Sequence, residues 1–567
     1  MTKVMEPVVD PGPASEEARH LARETGLTVT IGDALHRAGR VADDATKLWL
    51  DPRLAHLTPP DGMADRDVAT ERIVAALKAG ESIAVFGDYD CDGITAAAVI
   101  TSILRALGGQ VTPHLATRRE GAYGLSDPAL ARVLAGKPSL LITCDCGSSD
   151  HPRVWAAKRA GVDVIVIDHH LVPSEPLPAL AFLNPHRPDC AFPYKWLASC
   201  GLALSMGAAL RKAMGRDLDL RPFLDLVAIG TIADVAPLTG DNRVLVRAGL
   251  AVLAQGRRPG LRVLADRAKV TLSHGVVAED VAFRFAPRLN APGRLGDPDD
   301  ALALLLETDT SRAEVIARRV EETQLKRREI QAVMVEEALK DIEDGGFAQH
   351  AGIVLARQGW HPGVVGIVAG RIADQLGKPT IVIGLEGERG RGSVRGPRGF
   401  PLHDALTASK DTMRGFGGHQ AAAGVDVDAG RVEALRAAWN DACSTLGSAS
   451  FGGDDPSRMR VRLAPEDDAC EVALDLARLD PCGEGNPEPR IVLPYARVVS
   501  ARDLKGHLRV TVTEDRRTID GIAFHRGAEA AGLQGADVAI VGSLRRDTYR
   551  GGRAVELLVQ EIRRRSS

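Results

Sequence analysis

The chain has 567 residues, of which 45% are hydrophobic and 26% are charged, and its formal net charge is -4. This length is too great for a single core and suggests roughly three or four domains. No apolar run approaches the ~20 residues of a membrane-spanning helix, and the N-terminus lacks a signal-peptide apolar region, so we expect a cytoplasmic protein. The eight cysteines form no C-x-x-C pair, which argues against a disulfide framework or a zinc ribbon.

The first part of the chain divides into an extension and an α/β region. Residues 1–65 are rich in Pro, Asp and Ala and are predicted to form an N-terminal extension with one helix over about 34–47. In residues 66–246, helical patterns alternate with short continuous apolar runs, such as SIAVFG, SLLITC and DVIVI. Continuous apolar strands separated by helices indicate a parallel sheet that is covered on both faces.

The loop after the first apolar run, GDYDCDG, places Asp88, Asp90 and Asp92 at alternate positions. Alternate side chains of an extended segment face the same side, so three carboxylates would repel one another unless a cation lay among them. Ordinary Asx turns also use aspartates followed by glycine. A calcium-binding EF-hand loop does not fit, because its twelfth position requires a bidentate Glu and is Val99 here.

Further acids and histidines follow the other apolar runs. Asp145 follows the second run, Asp168, His169 and His170 follow the third, and Asp234 ends a fourth apolar stretch, LVAIGTIA, which we also predict to be a strand. Ligands of parallel sheets bind at the carboxyl ends of the strands. Burying these carboxylates together without a cation would cost several kcal/mol for each unpaired charge. The sequence therefore predicts a metal site at this edge of the sheet.

The second half of the chain indicates three further regions. Residues 247–345 are predicted to be a helical connector with a long charged helix over about 311–344, and residues 346–445 a second α/β unit. Residues 455–567 alternate strand-like runs with turns, a pattern typical of a small β-barrel. From Arg490 onward there are 15 Lys and Arg against 9 Asp and Glu. A basic surface of this kind suits a nucleic-acid backbone.

Several motifs resemble a known family. GDYDCDG, ITCDCG and DHH, together with Asp234, resemble the motifs of the DHH phosphoesterase superfamily, and GGHQAAAG resembles the signature of the DHH-associated domain. The stretches GAYGLS, RLNAPGRLGD, GWHPGVVGIVA, GSVRG and LDPCGEGNPEP are together similar to the bacterial RecJ exonuclease family, from about Leu48 to the end. The resemblance implies an α/β fold with two α/β domains, a DHH parallel-sheet domain and a DHH-associated domain, joined by a long helix and followed by an OB-like β-barrel.

The resemblance also implies an activity and a cofactor. It implies an exonuclease that degrades single-stranded DNA from 5′ to 3′ in DNA repair and recombination with two Mn²⁺ or Mg²⁺ ions. Hard oxygen ligands with one or two imidazoles suit these metals, and two ions can hold the attacking water and the leaving oxygen. The implied ligands are Asp90, Asp92, Asp145, His169 and Asp234, with Asp145 bridging the ions and Asp88, Asp168 and His170 supporting them. A RecQ-type helicase and a single-strand-binding protein are the implied partners of a monomer that does not contact a membrane.

Candidate substrate contacts lie in the later motifs. Ser393 and Arg395 of GSVRG, together with Arg288 or Arg294, are predicted to hold the 5′ phosphate, since a planar guanidinium matches phosphate oxygens. His419 is predicted to contact the scissile phosphate, and the alternative is a packed turn histidine. The predicted contacts of the barrel with a single strand are Arg545, Arg546 and Tyr549.

Two other functions remain open on the sequence. One is a phosphodiesterase for short oligoribonucleotides or cyclic dinucleotides, as in shorter relatives, although a dinucleotide does not need a barrel as a binding track. The other is a non-catalytic DNA-binding scaffold, which the complete set of acidic positions argues against. The chain also departs from some relatives, because Phe86 stands where they carry a histidine, and this leaves one ion with fewer ligands.

Overall fold

The computed structural model describes residues 8–120, 123–418, 422–447, 459–547 and 554–565. The described residues form two α/β units and a C-terminal β-barrel, which confirms the predicted fold class. Within them, no helix combines the length and apolar character needed to cross a bilayer.

The N-terminal segment contains three short helices rather than one. They are α1 (Glu16–Thr25), α2 (Val29–Arg37) and α3 (Asp44–Leu50). The prediction of one helix over 34–47 is wrong, because Asp43 is an N-cap that accepts a hydrogen bond from the Thr46 amide and so starts a new helix. Leu21 and Ile31 pack into the core of the barrel, so this segment covers the C-terminal domain.

A parallel sheet forms the centre of the first α/β unit, as predicted. Its elements are α4 (Arg66–Ala79), β1 (Ser82–Gly87), α5 (Cys91–Ala106), β2 (Gln110–Leu115), α6 (Asp127–Ala135), β3 (Leu140–Cys144), α7 (His151–Arg159), β4 (Asp163–Ile167), β5 (Ala181–Leu183), α8 (Ser199–Ala213), α9 (Leu224–Ala233) and α10 (Gly240–Leu253). The strand order is β2-β1-β3-β4-β5, and every pair is parallel. The carboxyl ends of β1, β3 and β4 therefore lie side by side.

The fourth apolar stretch is a helix, so the prediction of a strand there is wrong. It forms α9, and Asp234 is the residue that ends this helix. The helix is buried on all sides between α5, α8 and α10. A continuous apolar run has no periodicity that distinguishes a buried helix from a buried strand. The acid still reaches the same edge of the sheet, but from the covering helical layer.

The connector is helical, and its last helix spans two cores. The connector contains α11 (Pro259–Ala268), α12 (Ala278–Asp280), a π-helical turn (Val281–Phe285), α13 (Ala286–Leu295), α14 (Asp299–Leu306) and α15 (Thr310–Asp344). The long helix α15 has 35 residues, which confirms the prediction. Ala313 and Val320 pack into the core of the first α/β unit, whereas Ala338 and Ile342 pack into the core of the second. The helix therefore fixes the distance between the two units.

The second α/β unit has a mixed sheet. Its elements are β6 (Ile353–Gln358), α16 (Val365–Leu376), β7 (Thr380–Glu386), β8 (Arg389–Arg395), α17 (Leu402–Ala408), β9 (Gly415–Gly418), β10 (Ala422–Asp428) and α18 (Val432–Leu446). The strand order is β6-β7-β8-β10-β9, in which β6 and β7 are parallel and the other pairs antiparallel.

The C-terminal domain is a closed barrel, as predicted. It contains β11 (Arg460–Arg462), α19 (Ala469–Leu479), β12 (Arg490–Leu504), β13 (His507–Glu514), β14 (Arg517–Ala523), α20 (Ala530–Leu533), β15 (Asp537–Asp547) and β16 (Ala554–Arg564). Strands β12, β13, β14, β16 and β15 pair in this order, and β15 pairs again with β12 to close the barrel. Closure removes the exposed edges that an open sheet would present.

The loop between α19 and β12 joins the barrel to the first α/β unit. Arg243 on α10 is 1% exposed, stacks on Trp49 at 3.9 Å, and donates a hydrogen bond of 2.8 Å to the Leu479 carbonyl at the end of α19. The Leu238 amide donates to the Glu484 carbonyl at 2.7 Å. The barrel is thereby held against the segment that follows Asp234.

Candidate active site

Four segments bring carboxylates and imidazoles to the carboxyl edge of the parallel sheet. Asp92 lies in the first turn of α5, Asp145 follows β3, His169 and His170 follow β4, and Asp234 follows α9. Their ligand atoms form two groups, Asp92–His169–Asp234 and Asp145–His169–His170, and within each group the atoms lie within 4.8 Å of one another. The two groups share His169, so the arrangement suits a pair of cations that are close together.

Asp145 occupies the centre of this arrangement and is 1% exposed. Its amide donates to the Ile167 carbonyl at 2.9 Å, which holds the residue where β3 and β4 end. Its φ of 63° lies in the left-handed region, which aspartate adopts more readily than most residues. The Ser199 hydroxyl donates to the Asp145 carboxylate at 3.1 Å. The carboxylate is therefore fixed by strand, turn and helix together.

Asp92 is held by the N-terminus of α8. Its two carboxylate oxygens accept hydrogen bonds from the amides of Ser199 at 2.7 Å and Cys200 at 3.0 Å. The positive end of the helix dipole favours a carboxylate at this point. Gly230 on α9 makes room for the contact, because a Cβ at this residue would lie only 2.7 Å from Asp92 Oδ1. Sequence reasoning missed Gly230, whose role depends on a contact between distant segments.

Asp168 lies behind the metal-ligand candidates and orients the two histidines. Its carboxylate accepts from the amides of Ser148 at 3.1 Å and His169 at 2.8 Å, and lies 2.7 Å from His170 Nδ1. The Tyr123 hydroxyl donates to the Asp145 carbonyl at 2.9 Å and also lies 2.9 Å from His170 Nδ1. Tyr123 is a second residue that we did not predict, although it lies in the GAYGLS motif.

The crowding of acids shifts the pKa values of the site. Burial, followed by the charges of neighbouring aspartates, raises the pKa of Asp145 and of Asp234 well above the ordinary range. Burial and the charge of Asp90 raise the pKa of Asp88 to about 8. Burial lowers the pKa of His170, but the hydrogen bond with Asp168 and the nearby acids outweigh it and raise that pKa to about 9. The raised pKa values show that the positive charge around these carboxylates is too small to balance their repulsion.

One buried atom identifies what the site lacks. His169 Nε2 lies 3.2 Å from Asp145 Oδ1 and 3.8 Å from Asp234 Oδ2, yet it has no hydrogen-bond partner among the described residues. Burial lowers the pKa of His169, which favours the neutral imidazole that can bind a metal. Carboxylate oxygens with a neutral imidazole are ligands that Mn²⁺ and Mg²⁺ accept. The residues present therefore fit a divalent cation.

The remaining acids of the first loop lie beside the two groups. Asp90 is the N-cap residue of α5 and accepts a hydrogen bond from the Gly93 amide at 3.0 Å, so it belongs to neither group. Asp88 is buried and accepts a hydrogen bond from the Gly124 amide at 3.3 Å. These contacts explain their positions through local structure, and their roles in metal binding stay predictions.

A cluster of arginines lies next to this loop. Arg118 stacks on Tyr89 at 4.3 Å and donates to the Gly293 carbonyl at 3.1 Å. Arg294 lies on the same helix, α13, and burial together with the charge of Arg118 lowers its pKa to about 10. Among the described residues, no carboxylate lies within ion-pair distance of either guanidinium. Guanidinium groups that lie together without an acid partner are suited to bind an anion.

The second α/β unit contributes to the same cluster. Arg395 at the end of β8 donates to the Ser393 hydroxyl at 2.8 Å, and its charge lowers the pKa of Arg294. Gly366 on α16 lies close by, since a Cβ there would be 3.0 Å from Ser393 Oγ. We define the arginine cluster as Arg118, Arg294 and Arg395 with Ser393. Sequence reasoning missed Arg118, which precedes GAYGLS by only a few residues.

The other predicted substrate contacts have different surroundings. Arg288 forms a two-point ion pair with Glu321 of α15, at 2.6 and 3.1 Å, so its guanidinium is occupied within the connector. Arg545 pairs with Glu279 at 2.6 Å, and Arg546 is an exposed residue of β15. His419 and Tyr549 lie outside the described residues.

The parallel sheet with its acid and histidine groups, followed by a second α/β unit, defines a metal-dependent phosphoesterase of the DHH class. Three family models match the chain in this order: the DHH family N-terminal domain over residues 82–231, the DHHA1 domain over 349–445 and the RecJ OB domain over 461–561. Each model falls on one of the three structural units described above.

Relatives of the whole chain narrow this class. The chain is 32% identical over 561 residues to the single-stranded-DNA-specific exonuclease RecJ of Bacillus subtilis, covering 97% of this chain and 70% of that protein. The crystal structure of Thermus thermophilus RecJ with Mn²⁺ superposes with a TM-score of 0.80 at 30% identity, over 99% of this chain and 80% of that one. The Mg²⁺ complex of the same enzyme gives 0.73 at 28% identity, over 99% and 78%. The chain belongs to the RecJ family.

The raised pKa values predict that metal binding releases protons. Burial and the neighbouring aspartates raise the pKa values of Asp145 and Asp234 well above the ordinary range in the metal-free protein, and both carboxyls must lose their protons to bind a cation. We expect Mn²⁺ affinity to rise with pH and proton release to shrink as the medium becomes alkaline. Calorimetric titration over a range of pH in buffers of different ionisation enthalpy measures both. A heat that does not depend on the buffer at any pH in this range would contradict the shifts.

Gly230 is not a metal-ligand candidate, but its contact with Asp92 predicts that a substitution here weakens metal binding. In Gly230→Ala, the added methyl group overlaps Thr95 Oγ1, and it lies 2.6 Å from Cys200 Sγ and 2.7 Å from Asp92 Oδ1. Because Asp92 and the Cys200 amide that holds it must both shift, we expect Mn²⁺ affinity or activity to fall about 10- to 100-fold. Gly430→Ala is the matched control, because a Cβ at that residue meets no atom within 4 Å. Circular dichroism should show both variants folded. Unchanged metal affinity in a folded Gly230→Ala protein would refute the packing argument.

Proposed function

We propose that this protein is a divalent-metal-dependent exonuclease that degrades single-stranded DNA from its 5′ end. The observation that carries the proposal is the pairing of two oppositely charged sites, the carboxylate and histidine groups that share His169 and the arginine cluster beside them. The names of the relatives, which describe single-stranded-DNA-specific exonucleases, support the same substrate. The family places such an enzyme in DNA repair and recombination.

The residues that would hold the metal are Asp92, Asp145, His169 and Asp234, with Asp90 of the first loop as the fifth predicted ligand. When bound there, divalent ions supply a Lewis acid for the phosphate and lower the pKa of water. The chain itself sets the geometry, since the amides of α8 orient Asp92, and Asp168 orients His170. Despite burial, the contact with Asp168 and the nearby acids raise the pKa of His170 to about 9 in the metal-free protein, so this ring is suited to donate a proton to a phosphate oxygen.

The arginine cluster is suited to the 5′-terminal phosphate. Helix α13, which carries Arg294, packs against the loop between β1 and α5. A Cβ at Gly293 would lie 2.5 Å from the Tyr89 carbonyl oxygen of that loop. A phosphate held by Arg118, Arg294 and Arg395 would therefore lie beside Asp88 and Asp90. Anchoring the end of the strand so close to the metal site limits cleavage to the terminal region, which is the property of an exonuclease.

Each region of the chain has a role in the proposed function. Catalysis is assigned to residues 66–246 and substrate holding to 346–445, with 247–345 as the connector, 1–65 as the extension and 455–567 as the binding track. A single strand would follow Arg545, Arg546 and Tyr549 on the barrel, and His419 would reach the scissile phosphate. Arg288 is the weaker of the two phosphate candidates, because Glu321 occupies it. We place the enzyme in the cytoplasm as a monomer, with a RecQ-type helicase and a single-strand-binding protein as partners.

A substrate comparison tests this function. We expect purified protein with Mn²⁺ to shorten 5′-labelled single-stranded DNA and to leave blunt duplex DNA intact. Asp145→Asn should abolish cleavage and retain DNA binding, because it removes the central carboxylate and leaves the arginine cluster unchanged. Cleavage restricted to short oligoribonucleotides or cyclic dinucleotides would favour the phosphodiesterase instead. Binding without cleavage by the wild type under any divalent metal would favour a scaffold.

The arginine cluster predicts a preference for phosphorylated ends. In Arg395→Met, one charged hydrogen bond to the terminal phosphate is lost, so the rate advantage of a 5′-phosphate over a 5′-hydroxyl end should fall about 10- to 100-fold. Arg389→Met, at the other end of β8, is the control and should keep the full preference. Rates on oligonucleotides that differ only at the 5′ end measure the effect. An unchanged preference in Arg395→Met would exclude this cluster as the phosphate site.

A further inference from the structure

Three exposed apolar residues lie in the segments that carry the candidate metal centre. Leu171 is 67% exposed and follows His170, Val235 is 64% exposed and follows Asp234, and Trp196 is 54% exposed. Trp196 precedes α8, whose amides hold Asp92. Isolated exposed apolar residues are common, but their occurrence in three of these segments offers apolar area to a ligand with an apolar face.

The position of Trp196 is fixed by buried contacts. Asn242, which is fully buried, donates to the Trp196 carbonyl at 2.6 Å and to the Pro237 carbonyl at 3.1 Å. This amide ties the loop of Trp196 to the loop that begins at Val235. The His186 ring packs against the indole with a centroid distance of 5.6 Å and an interplanar angle of 74°. The indole is therefore held in place while more than half of the residue stays open to solvent.

Hydrogen bonds connect this pair to the metal centre. The His186 amide donates to Asn184 Oδ1 at 2.8 Å, and the Asn184 side-chain amide donates to the His170 carbonyl at 2.8 Å. Asn184 is fully buried, so it holds both segments in place. His186 thus connects Trp196 to the histidines of the site, and this places the exposed indole toward the rim of the metal centre.

Trp196 lies on the side of the metal centre that faces the barrel. Tyr194, two residues earlier, donates from its hydroxyl to the Thr239 carbonyl at 2.8 Å. The neighbouring Leu238 amide donates to Glu484 of the loop that leads into the barrel. The arginine cluster instead meets the site through Tyr89 of the loop that follows β1. A strand that runs from the arginine cluster to the barrel would therefore pass Trp196 after the scissile phosphate.

We propose that Trp196, braced by His186 and flanked by Val235, stacks on the nucleobase that follows the scissile phosphate on its 3′ side. This assignment rests on the proposed exonuclease function and adds a positioning residue to it. The occupant is a base because the metal site and the arginines take up the phosphates, and the base is the part of a nucleotide with a flat aromatic face that matches an indole. Stacking on an indole accepts every base, as a nuclease without sequence preference requires.

The test combines a protein change with removal of a base. Trp196→Ala should raise KM for 5′-phosphorylated single-stranded DNA about 5- to 100-fold, and Trp196→Phe should restore most of the loss. An abasic residue is placed in turn at each nucleotide near the 5′ end. At one of these positions the wild type should slow to the level of Trp196→Ala, and Trp196→Ala should show no further loss. Trp155→Ala is the matched control, because Trp155 is 48% exposed on α7 of the same domain.

The outcomes separate this inference from the proposed function. If Trp196→Ala loses the same factor on intact and abasic substrates at every position, the indole only supports its loop and the inference is overturned. If Trp196→Ala equals the wild type on intact DNA, stacking is excluded while the nuclease assignment stands. If the wild type does not degrade single-stranded DNA, the proposed function fails first and the stacking role fails with it.

Discussion

The structure depends on keeping several carboxylates together at one buried edge of a sheet. Asp92, Asp145 and Asp234 come from segments that are far apart in the chain, and among the described residues no lysine or arginine pairs with them. An unpaired buried charge costs several kcal/mol, so the acids either hold protons or bind cations. The N-terminus of α8 and the two histidines compensate for part of this cost. The pKa values of Asp145 and Asp234 are still raised by burial and by neighbouring aspartates, so carboxylate repulsion remains that a metal would relieve.

The positively charged arginine cluster lies beside these carboxylates. The arginine cluster joins residues of both α/β units, since Arg118 follows β2 of the first unit, Arg395 ends β8 of the second, and Arg294 lies on the connector between them. Their relative positions follow from α15, which packs into the cores of both units. The negative oxygens of a phosphodiester can pair with the arginines. Cations held by the carboxylates can activate its phosphorus atom. Each group of like charges is costly alone, and a nucleic-acid substrate with divalent cations satisfies both.

The sequence predicted the parts of this arrangement that have local signals. Continuous apolar runs gave β1, β3 and β4, and the acids after them lie at one edge because parallel strands end together. Asp234 was placed on the wrong element, since a buried helix and a buried strand share the same apolar composition. Gly230, Tyr123 and Arg118 were missed, because their roles arise from contacts between segments that the sequence separates. The packing of the N-terminal helices on the barrel, across more than 400 residues, has no local signal either.

The contacts around Asp234 link the C-terminal domain to a segment that carries a metal-ligand candidate. The backbone that follows this acid has a left-handed residue, Val235, and three residues later Leu238 bonds to the loop that enters the barrel. Asn242 joins the same segment to the loop of Trp196. A shift of the barrel would therefore move a metal-ligand candidate and the exposed indole together. Because packed interiors transmit displacement, the C-terminal domain and the metal-ligand candidate Asp234 are mechanically coupled through this segment.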